Sequence, residues 1–232
     1  YTSYGCAGAG VDVNSIERVR DVFYDFKYWN NNSNVGEFNI LEEYTIQIQD
    51  YFKDDETTEG FNSIFNELVS NLEELKKNAG DVPTKQQLVG SAESLTYYFN
   101  TMAENLEKLQ LEINTQLQNK VDMINSYAAE IASLNKQINV IELTGITANE
   151  LRDKRDSILD ELSLIVDVET EEIPIRDSND PDRETGGNRY IVKIAGGQKV
   201  VDTNEYYELV CKAKENYETV NQSDAVGLYD IY

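Results

Sequence analysis

The sequence contains no histidine, only two cysteines and only three prolines in 232 residues. Without histidine the chain lacks the commonest general base and the commonest ligand of transition metals. Cys6 and Cys211 cannot form a disulfide framework, and a metal site would need more ligands than two thiols. We therefore expect no metal, no cofactor and no catalytic centre of the histidine or cysteine type.

Long apolar runs and a surplus of basic residues are also missing. No stretch approaches the roughly 20 apolar residues that cross a bilayer, and no basic segment leads into an apolar one as in a secretory signal. Asp and Glu number 43 against 20 Lys and Arg, so the net charge is -23. Because this charge repels phosphates, we expect neither nucleic acid nor a membrane surface as a partner.

What is present suits a soluble, folded chain, with 40% hydrophobic and 27% charged residues. Residues 1–13 include a glycine-rich stretch, which favours a flexible linker. A phosphate-binding loop is the alternative interpretation. It is disfavoured because no strand precedes the glycines and no Lys-Ser/Thr pair follows them.

Helical periodicity begins at Asn14, a predicted N-cap with Glu17 as its capping-box partner. Apolar residues three and four apart predict one helix that ends in the asparagine-rich residues 30–34, since asparagine competes for helical hydrogen bonds. The same spacing predicts a second helix over residues 38–52 and a third over 61–75. Gly80 and Pro83 then predict a break in the helix.

The most regular segment runs from Ser91 to Glu142, with no glycine or proline inside it. About 50 residues in a helix make a rod of about 75 Å. An apolar stripe of that length must pack along other helices, either of this chain or of a neighbour, and we expect part of it to be uncovered in this chain alone. We call this stripe the assembly seam; it comprises Leu95, Phe99, Met102, Leu106, Leu109, Ile113, Leu117, Val121, Ile124, Ile131, Leu134 and Ile138.

Beyond a turn at residues 144–146, Asn149 is the predicted N-cap of a further helix that extends to Ile165. Period-two alternation then predicts strands at 166–169, 190–195 and 198–201, with Gly196 and Gly197 in the hairpin turn and another strand over 206–210. Residues 174–188 read as a surface loop.

The predicted fold is therefore mainly α: an elongated helical bundle with one very long helix, followed by a partial β-rich domain. We assign residues 14–165 to a helical rod domain and 166–210 to the start of a β-rich outer domain. Residues 211–232 form a tail whose structure the sequence does not predict.

Residues that could carry chemistry are better explained as structural. Residues 177–184 alternate oxygen-bearing side chains as a calcium loop does, but Pro181 and the missing mid-loop glycine favour a solvated loop. Asp153, Arg155 and Asp156 on one helix favour ion pairs within or between helices. No nucleophile motif with its base is present, so we predict that the chain is not an enzyme.

Three segments have distinctive sequences: residues 10–21 (GVDVNSIERVRD), residues 121–138 with VDMIN and IASLNKQI, and residues 148–163 (ANELRDKRDSILDELS). All three resemble segments of the bacterial flagellar hook-associated proteins. The third is similar to a hallmark of hook-associated protein 1, the hook–filament junction protein, in particular. The motif residues carried over are Asn149, Leu151, Asp153, Arg155, Asp156, Leu159 and Leu162.

The resemblance implies a structural protein outside the cell, exported by the flagellar type III system and built into a ring of subunits that joins hook to filament. Its partners would be like subunits, the hook protein and hook-associated protein 3. An export chaperone would bind only the full-length protein, because the resemblance implies that this chain is a fragment lacking both terminal helical regions.

Three other interpretations stay open at this point. Another axial flagellar protein, such as hook-associated protein 3 or a flagellin-like protein, shares the long helix but is disfavoured by residues 149–163. An unrelated coiled-coil adaptor would also present an apolar stripe to a partner helix. A hydrolase would require a pocket that brings together two carboxylates in unlike environments.

Overall fold

The computed structural model describes residues 21–180, 182–215 and 223–232. Its helices are α1 Val22–Tyr51, α2 Phe61–Lys77, α3 Val82–Glu142 and α4 Asn149–Leu162, and its strands are β1 Val168–Arg176, β2 Glu184–Ile194, β3 Gln198–Asp202, β4 Glu205–Tyr206, β5 Cys211–Ala213 and β6 Tyr229–Ile231. The predicted mainly α fold, with one very long helix followed by strands, is confirmed. The predicted N-cap at Asn14, the linker over residues 1–13 and Cys6 lie outside the described residues.

Helix α1 runs without a break through the asparagine-rich residues 30–34, where the sequence predicted the end of one helix and a gap before the next. Ser33 Oγ donates to the carbonyl of Asn30 at 3.0 Å and Asn34 Nδ2 donates to the same carbonyl at 2.8 Å. These side chains form hydrogen bonds to the preceding helical turn, and the helix continues through them. The prediction of two helices is therefore wrong.

The predicted breaks on either side of α2 are confirmed, and each is stabilised by an aspartate. The carboxylate of Asp54 accepts hydrogen bonds from the backbone N–H groups of Gly60, Asn62 and Ser63 at 2.8–3.1 Å and caps the start of α2. Asp81 accepts the backbone N–H of Thr84 at 3.2 Å, so α3 begins at Val82, nine residues before the predicted start at Ser91.

The chain forms two compact units. One unit, which we call the sheet unit, comprises the described residues up to Asn34 together with residues 124–208. The other, the helical unit, comprises residues 35–123 and the described part of 209–232. Both units take part of α1 and part of α3. The domain boundaries predicted from the sequence at residues 165 and 210 remain a prediction.

An antiparallel sheet in the order β1-β2-β3-β4 dominates the sheet unit. The predicted hairpin turn at Gly196 and Gly197 is confirmed, and both residues have positive φ angles of 73° and 125°. Residues 174–188 were predicted as a loop, and the described residues between Arg176 and Glu184 confirm it. At its two ends the prediction is wrong, because residues 174–176 complete β1 and 184–188 begin β2, paired from Val168↔Ile194 to Arg176↔Glu184. The strand predicted over 206–210 is confined to β4, Glu205–Tyr206.

The sheet unit buries apolar side chains of α3, α4 and the sheet. The largest of those that are at most 2% exposed are Ile131, Ile138, Leu159, Leu162, Val192, Val200 and Val201.

In the helical unit, β5 and β6 pair within the predicted tail, and Asn114 of α3 accepts the backbone N–H of Tyr229 at 2.7 Å. Cys211 in β5 is a free, half-buried thiol. A search of the described residues finds no helix with the length and apolar character that a membrane crossing requires.

The glycine at position 186 lets β2 approach the end of α3. Gly186 has a φ of 88°, and a Cβ at this position would lie 2.7 Å from the carbonyl oxygen of Glu142. We predict that Gly186→Ala destabilises the chain by at least about 2 kcal/mol, because it adds left-handed strain to a backbone clash. Urea unfolding followed by circular dichroism measures the effect.

The control for this substitution is Gly90→Ala. Gly90 lies inside α3 and does not have a positive φ, and a Cβ added to it would meet no atom within 4 Å. Alanine there should stabilise the helix by up to about 1 kcal/mol. Equal effects of the two substitutions would contradict the close contact at Gly186.

Candidate functional site

The assembly seam divides into a covered half and a partly uncovered half. From Val121 onward its residues are buried, and Ile131 has no exposed surface. In the helical unit Met102 and Leu109 are buried and Leu95 and Leu117 are half-buried. Three seam residues there are exposed: Phe99 by 53%, Leu106 by 36% and Ile113 by 39%. The seam is therefore incompletely covered by this chain, as its length led us to expect.

The motif helix α4 buries one face and exposes the other. Of the seven motif residues, Arg155, Asp156, Leu159 and Leu162 are buried, whereas Asn149 and Leu151 are half-buried and Asp153 is exposed. The predicted N-cap role of Asn149 is wrong. Ala148 occupies the cap position, and Asn149 is the first helical residue.

The buried guanidinium of Arg155 lies at the centre of a polar cluster inside the sheet unit. It stacks over the ring of Tyr190 in β2 at 3.5 Å, and its Nη1 donates to Asn135 Oδ1 of α3 at 3.1 Å. Asn135 Nδ2 in turn donates to the carbonyl of Thr203 at 2.9 Å, which connects α3 to the turn after β3. Burial raises the pKa of the Tyr190 phenol. The cluster thus connects α3, α4 and the sheet.

Of the residues Asp153, Arg155 and Asp156, which were predicted to form ion pairs, Arg155 and Asp156 lie close to each other. Arg155 Nε lies 3.9 Å from Asp156 Oδ1, which is an ion pair without a hydrogen bond. The prediction rested on residues three or four apart on one helix face, whereas Arg155 and Asp156 are adjacent in sequence. Stacking on Tyr190 and the bond to Asn135 orient Arg155 instead.

A second charged contact holds the turn between α3 and α4. Arg152 donates from Nε and Nη2 to the two carboxylate oxygens of Glu142 at 2.6 and 2.8 Å, and Glu142 Oε1 also accepts the backbone N–H of Ala148 at 3.3 Å. Arg152 Nη2 lies 3.0 Å from Glu172 of β1. Burial would raise the pKa of Glu142, but the bonds from Arg152 and Ala148 outweigh it and hold that pKa below its ordinary value of 4.5.

Two further contacts join α3 to β2 and α1 to α4. Asn139 of α3 exchanges two hydrogen bonds with the backbone of Asn188, at 2.8 and 2.9 Å. Trp29 of α1, 2% exposed, donates its indole N–H to Asp160 of α4 at 2.8 Å. The contact between Asn139 and Asn188 was not predicted from the sequence. A usable signal was present at Asn135 and Asn139, which are polar residues adjoining the apolar stripe.

These contacts position helices and strands, and within the described residues they form no arrangement for chemistry. The charged groups in these contacts bind other charged groups, neutral side chains or backbone, and no group of three His, Cys, Asp or Glu side chains in the described ranges could hold a metal ion. In the segment predicted as a solvated loop, Asp177 and Asp180 accept hydrogen bonds from the backbone N–H groups of Asn179 and Asp182. Pro181 lies outside the described residues.

Comparisons with known proteins agree on one family. Residues 45–227 match the family model described as the flagellar hook-associated protein FlgK helical domain. Flagellar hook-associated protein 1 of Bacillus subtilis is 30% identical over 164 residues, which cover 71% of this chain and 32% of that protein. Flagellar hook-associated protein 1 of Escherichia coli is 29% identical over 201 residues, covering 85% and 34%. The chain thus spans about a third of the length of these relatives.

Among solved structures, the chain resembles the flagellar hook junction protein FlgK from Burkholderia pseudomallei. The TM-score is 0.67 at 24% sequence identity, and the match covers 81% of this chain and 31% of that chain. At this identity the likeness shows a shared fold.

We predict that Arg152→Met destabilises the sheet unit by about 3 kcal/mol, because it leaves the buried carboxylate of Glu142 without its cation. Lys154→Met is the matched control, since Lys154 pairs with Glu130 at 3.2 Å and both side chains are largely solvent-exposed. Its effect should stay below about 1 kcal/mol. Chemical unfolding measures both variants, and equal losses would show that the Arg152 pair has no special role.

The same pair predicts a pH dependence. Because the folded-state pKa of Glu142 is depressed below 4.5, its stabilisation is present above that pH and is lost as the pH falls through the folded value. Glu142→Gln should therefore be less stable than wild type at pH 7, and the difference should shrink towards pH 3. Unfolding free energies measured across this range test it; a constant difference would contradict the depressed pKa.

Proposed function

This chain belongs to the FlgK family of flagellar hook-associated proteins, and we propose that it joins hook to filament as part of a ring of subunits in the flagellar wall. The matched family domain covers residues 45–227, which include the end of α1, all of α2, α3 and α4, and the sheet. The match supports a role in which the helices form a structural layer. The domain assignment, with a helical rod over residues 14–165 and an outer domain from residue 166, is part of this proposal.

The observation that carries the proposal is the partly uncovered half of the assembly seam on α3. A single helix of 61 residues buries its apolar stripe in the sheet unit and leaves Phe99, Leu106 and Ile113 exposed in the helical unit. Exposed apolar residues lie on α1 and α2 as well, among them Phe38, Phe61 and Leu72. Apolar surface of this extent is typical of a protein that packs against other proteins.

The motif residues on α4 have a separate role in this proposal. Arg155, Leu159 and Leu162 are buried inside the sheet unit and do not present a surface to partners. We infer that they maintain the fold that supports the seam. Residues that hold α4 against α3 and β2 would set the geometry of the subunit without contacting its neighbours.

The proposed location is the flagellum outside the cell, reached through the flagellar type III export system. The proposed partners are like subunits, the hook protein and hook-associated protein 3, with an export chaperone for the full-length protein. The net charge of -23 supports the expectation that nucleic acid and membranes are not partners. A structural role also agrees with the prediction that the chain is not an enzyme.

The basic test is genetic. Deletion of the parent gene should leave hooks without filaments and release flagellin into the medium, and the wild-type gene should restore attached filaments. Normal filaments in the deletion strain would overturn the proposal.

A second test replaces the three exposed seam residues with serine. The triple variant Phe99→Ser, Leu106→Ser, Ile113→Ser in the full-length protein should fold and be exported but fail to restore filaments, because it removes apolar contact surface. The control replaces three exposed apolar residues outside the seam, Val140→Ser, Ile146→Ser and Leu164→Ser. Counting filaments by electron microscopy compares the two; full restoration by the seam variant would contradict the proposed role of the seam.

A further inference from the structure

The helical unit contains a groove that differs in chemistry from the seam. It has a volume of about 540 Å³ and lies between the end of α1, the start of α2 and the first half of α3. Its lining combines tyrosine rings with carboxylates, and we call it the acidic groove, defined by Tyr51, Glu59, Glu67, Glu93, Tyr97 and Tyr98. Buried Ile64 and Met102 also line it.

The acidic groove opens on a different side of α3 from the exposed seam. Each residue advances about 100° around an α-helix, so Tyr97 and Phe99 project about 200° apart. Tyr97 lines the groove and is 73% exposed, whereas Phe99 belongs to the seam. A partner seated in the groove would therefore meet Tyr97 and not Phe99, whereas the buried Met102 borders both the groove and the seam.

The carboxylates of the groove have no cationic partner in the described residues. No Lys or Arg nitrogen in that part of the chain lies within 4.0 Å of Glu59, Glu67 or Glu93, although other carboxylates, such as Glu142 and Asp202, are paired at 2.6 Å. Three negative charges around one concave site attract a cation, and the tyrosine rings beside them provide faces on which a cation can stack.

A tyrosine hydroxyl in the same lining also lacks a partner. The hydroxyl oxygen of Tyr98 is buried and makes no hydrogen bond to any described residue. A buried polar atom left without a hydrogen bond costs free energy. Because this oxygen has almost no accessible surface, the groups of the groove that a ligand can contact are its carboxylates and exposed rings such as Tyr97.

Among cationic side chains, arginine fits this lining best. Its planar guanidinium can stack on a tyrosine ring and at the same time donate two parallel hydrogen bonds to a carboxylate, whereas a lysine ammonium is a point charge that needs neither feature. The sheet unit contains such a stacking arrangement internally, where Arg155 lies over Tyr190 at 3.5 Å. Ser94, Thr101 and Asn105 add polar atoms to the lining of the groove.

We propose that the acidic groove receives an arginine side chain that projects from a helix of a partner protein. The flanking walls are helices α2 and α3, so a third helix can lie along them with its arginine pointing inwards. A second copy of this chain is a poor occupant because it brings a net charge of -23 to an already acidic surface. The proposal rests on the assembly role proposed above and names the chemistry of one of its contacts.

The test measures binding of a synthetic helical peptide to the full 232-residue chain. The probe is an amphipathic Ala/Leu peptide with two arginines one helical turn apart, and its control is the same peptide with citrulline, which has nearly the same shape but no charge. Fluorescence anisotropy at low salt should show at least about tenfold tighter binding of the arginine peptide. Equal binding of the two peptides would overturn the proposal.

Matched protein variants locate the contact. Glu59→Gln, Glu67→Gln, Glu93→Gln together should weaken arginine-peptide binding at least about tenfold, whereas Glu37→Gln, Glu73→Gln, Glu107→Gln, which remove the same charge from exposed sites of the helical unit, should change it less than about threefold. Equal weakening by both triples would show that net charge alone attracts the peptide. Tyr97→Ala should also weaken binding, and an unchanged affinity in this variant would contradict ring stacking.

The occupant is checked by analytical ultracentrifugation. The wild-type chain and the groove triple should show the same oligomeric state; self-association that disappears in the triple would mean that a second copy fills the groove, and would overturn the choice of a different partner.

These binding and sedimentation measurements require no flagella. A failed peptide test with filaments lost on gene deletion would reject the groove and leave the assembly role standing, and the opposite pair of results would reject only the assembly role.

Discussion

The structure depends on how the C-terminal half of α3 is buried in the sheet unit. Ile131, Leu134 and Ile138 are almost completely removed from water, and the neighbouring Asn135 meets Arg155 of α4 and the backbone at Thr203. Burying a guanidinium costs free energy unless it is hydrogen-bonded or stacked, and here Tyr190 and Asn135 both contact it. These directional contacts orient α4 and the sheet against a helix whose apolar stripe alone would allow several arrangements.

The two halves of α3 therefore serve different purposes in one continuous helix. One half is covered by its own chain and carries α4 and the strands, and the other leaves apolar residues exposed in the helical unit. A protein that works by packing against neighbours needs both, because an exposed apolar surface is useful only if its shape is fixed before the neighbour arrives. The acidic groove adds charge selectivity to a surface that also exposes apolar residues such as Phe99 and Leu72, and apolar contacts alone discriminate poorly between partners.

Much of the fold follows from local sequence. The long helix, the break at Gly80 and Pro83 and the hairpin turn at Gly196 and Gly197 were predicted because helical periodicity, helix breakers and turn glycines act over a few residues. The errors arose where distant contacts or local side-chain bonds outweighed propensity. The asparagines of residues 30–34 continue α1 because their side chains bond to the preceding turn while Trp29 is anchored on Asp160, 131 residues away. Residues 174–176 and 184–188, at the ends of the predicted loop, are strand because β1 and β2 pair through them.

By itself the sequence determined which residues form the seam and the motif helix, and that the chain is acidic and without histidine, since composition and period-3.6 spacing are local properties. Only the tertiary structure decided which half of the seam is covered, that Arg152 reaches back across a turn to Glu142, and that three glutamates from a loop and two helices share one groove with tyrosines. Those outcomes depend on the directions in which distant side chains converge, and a linear pattern does not contain them.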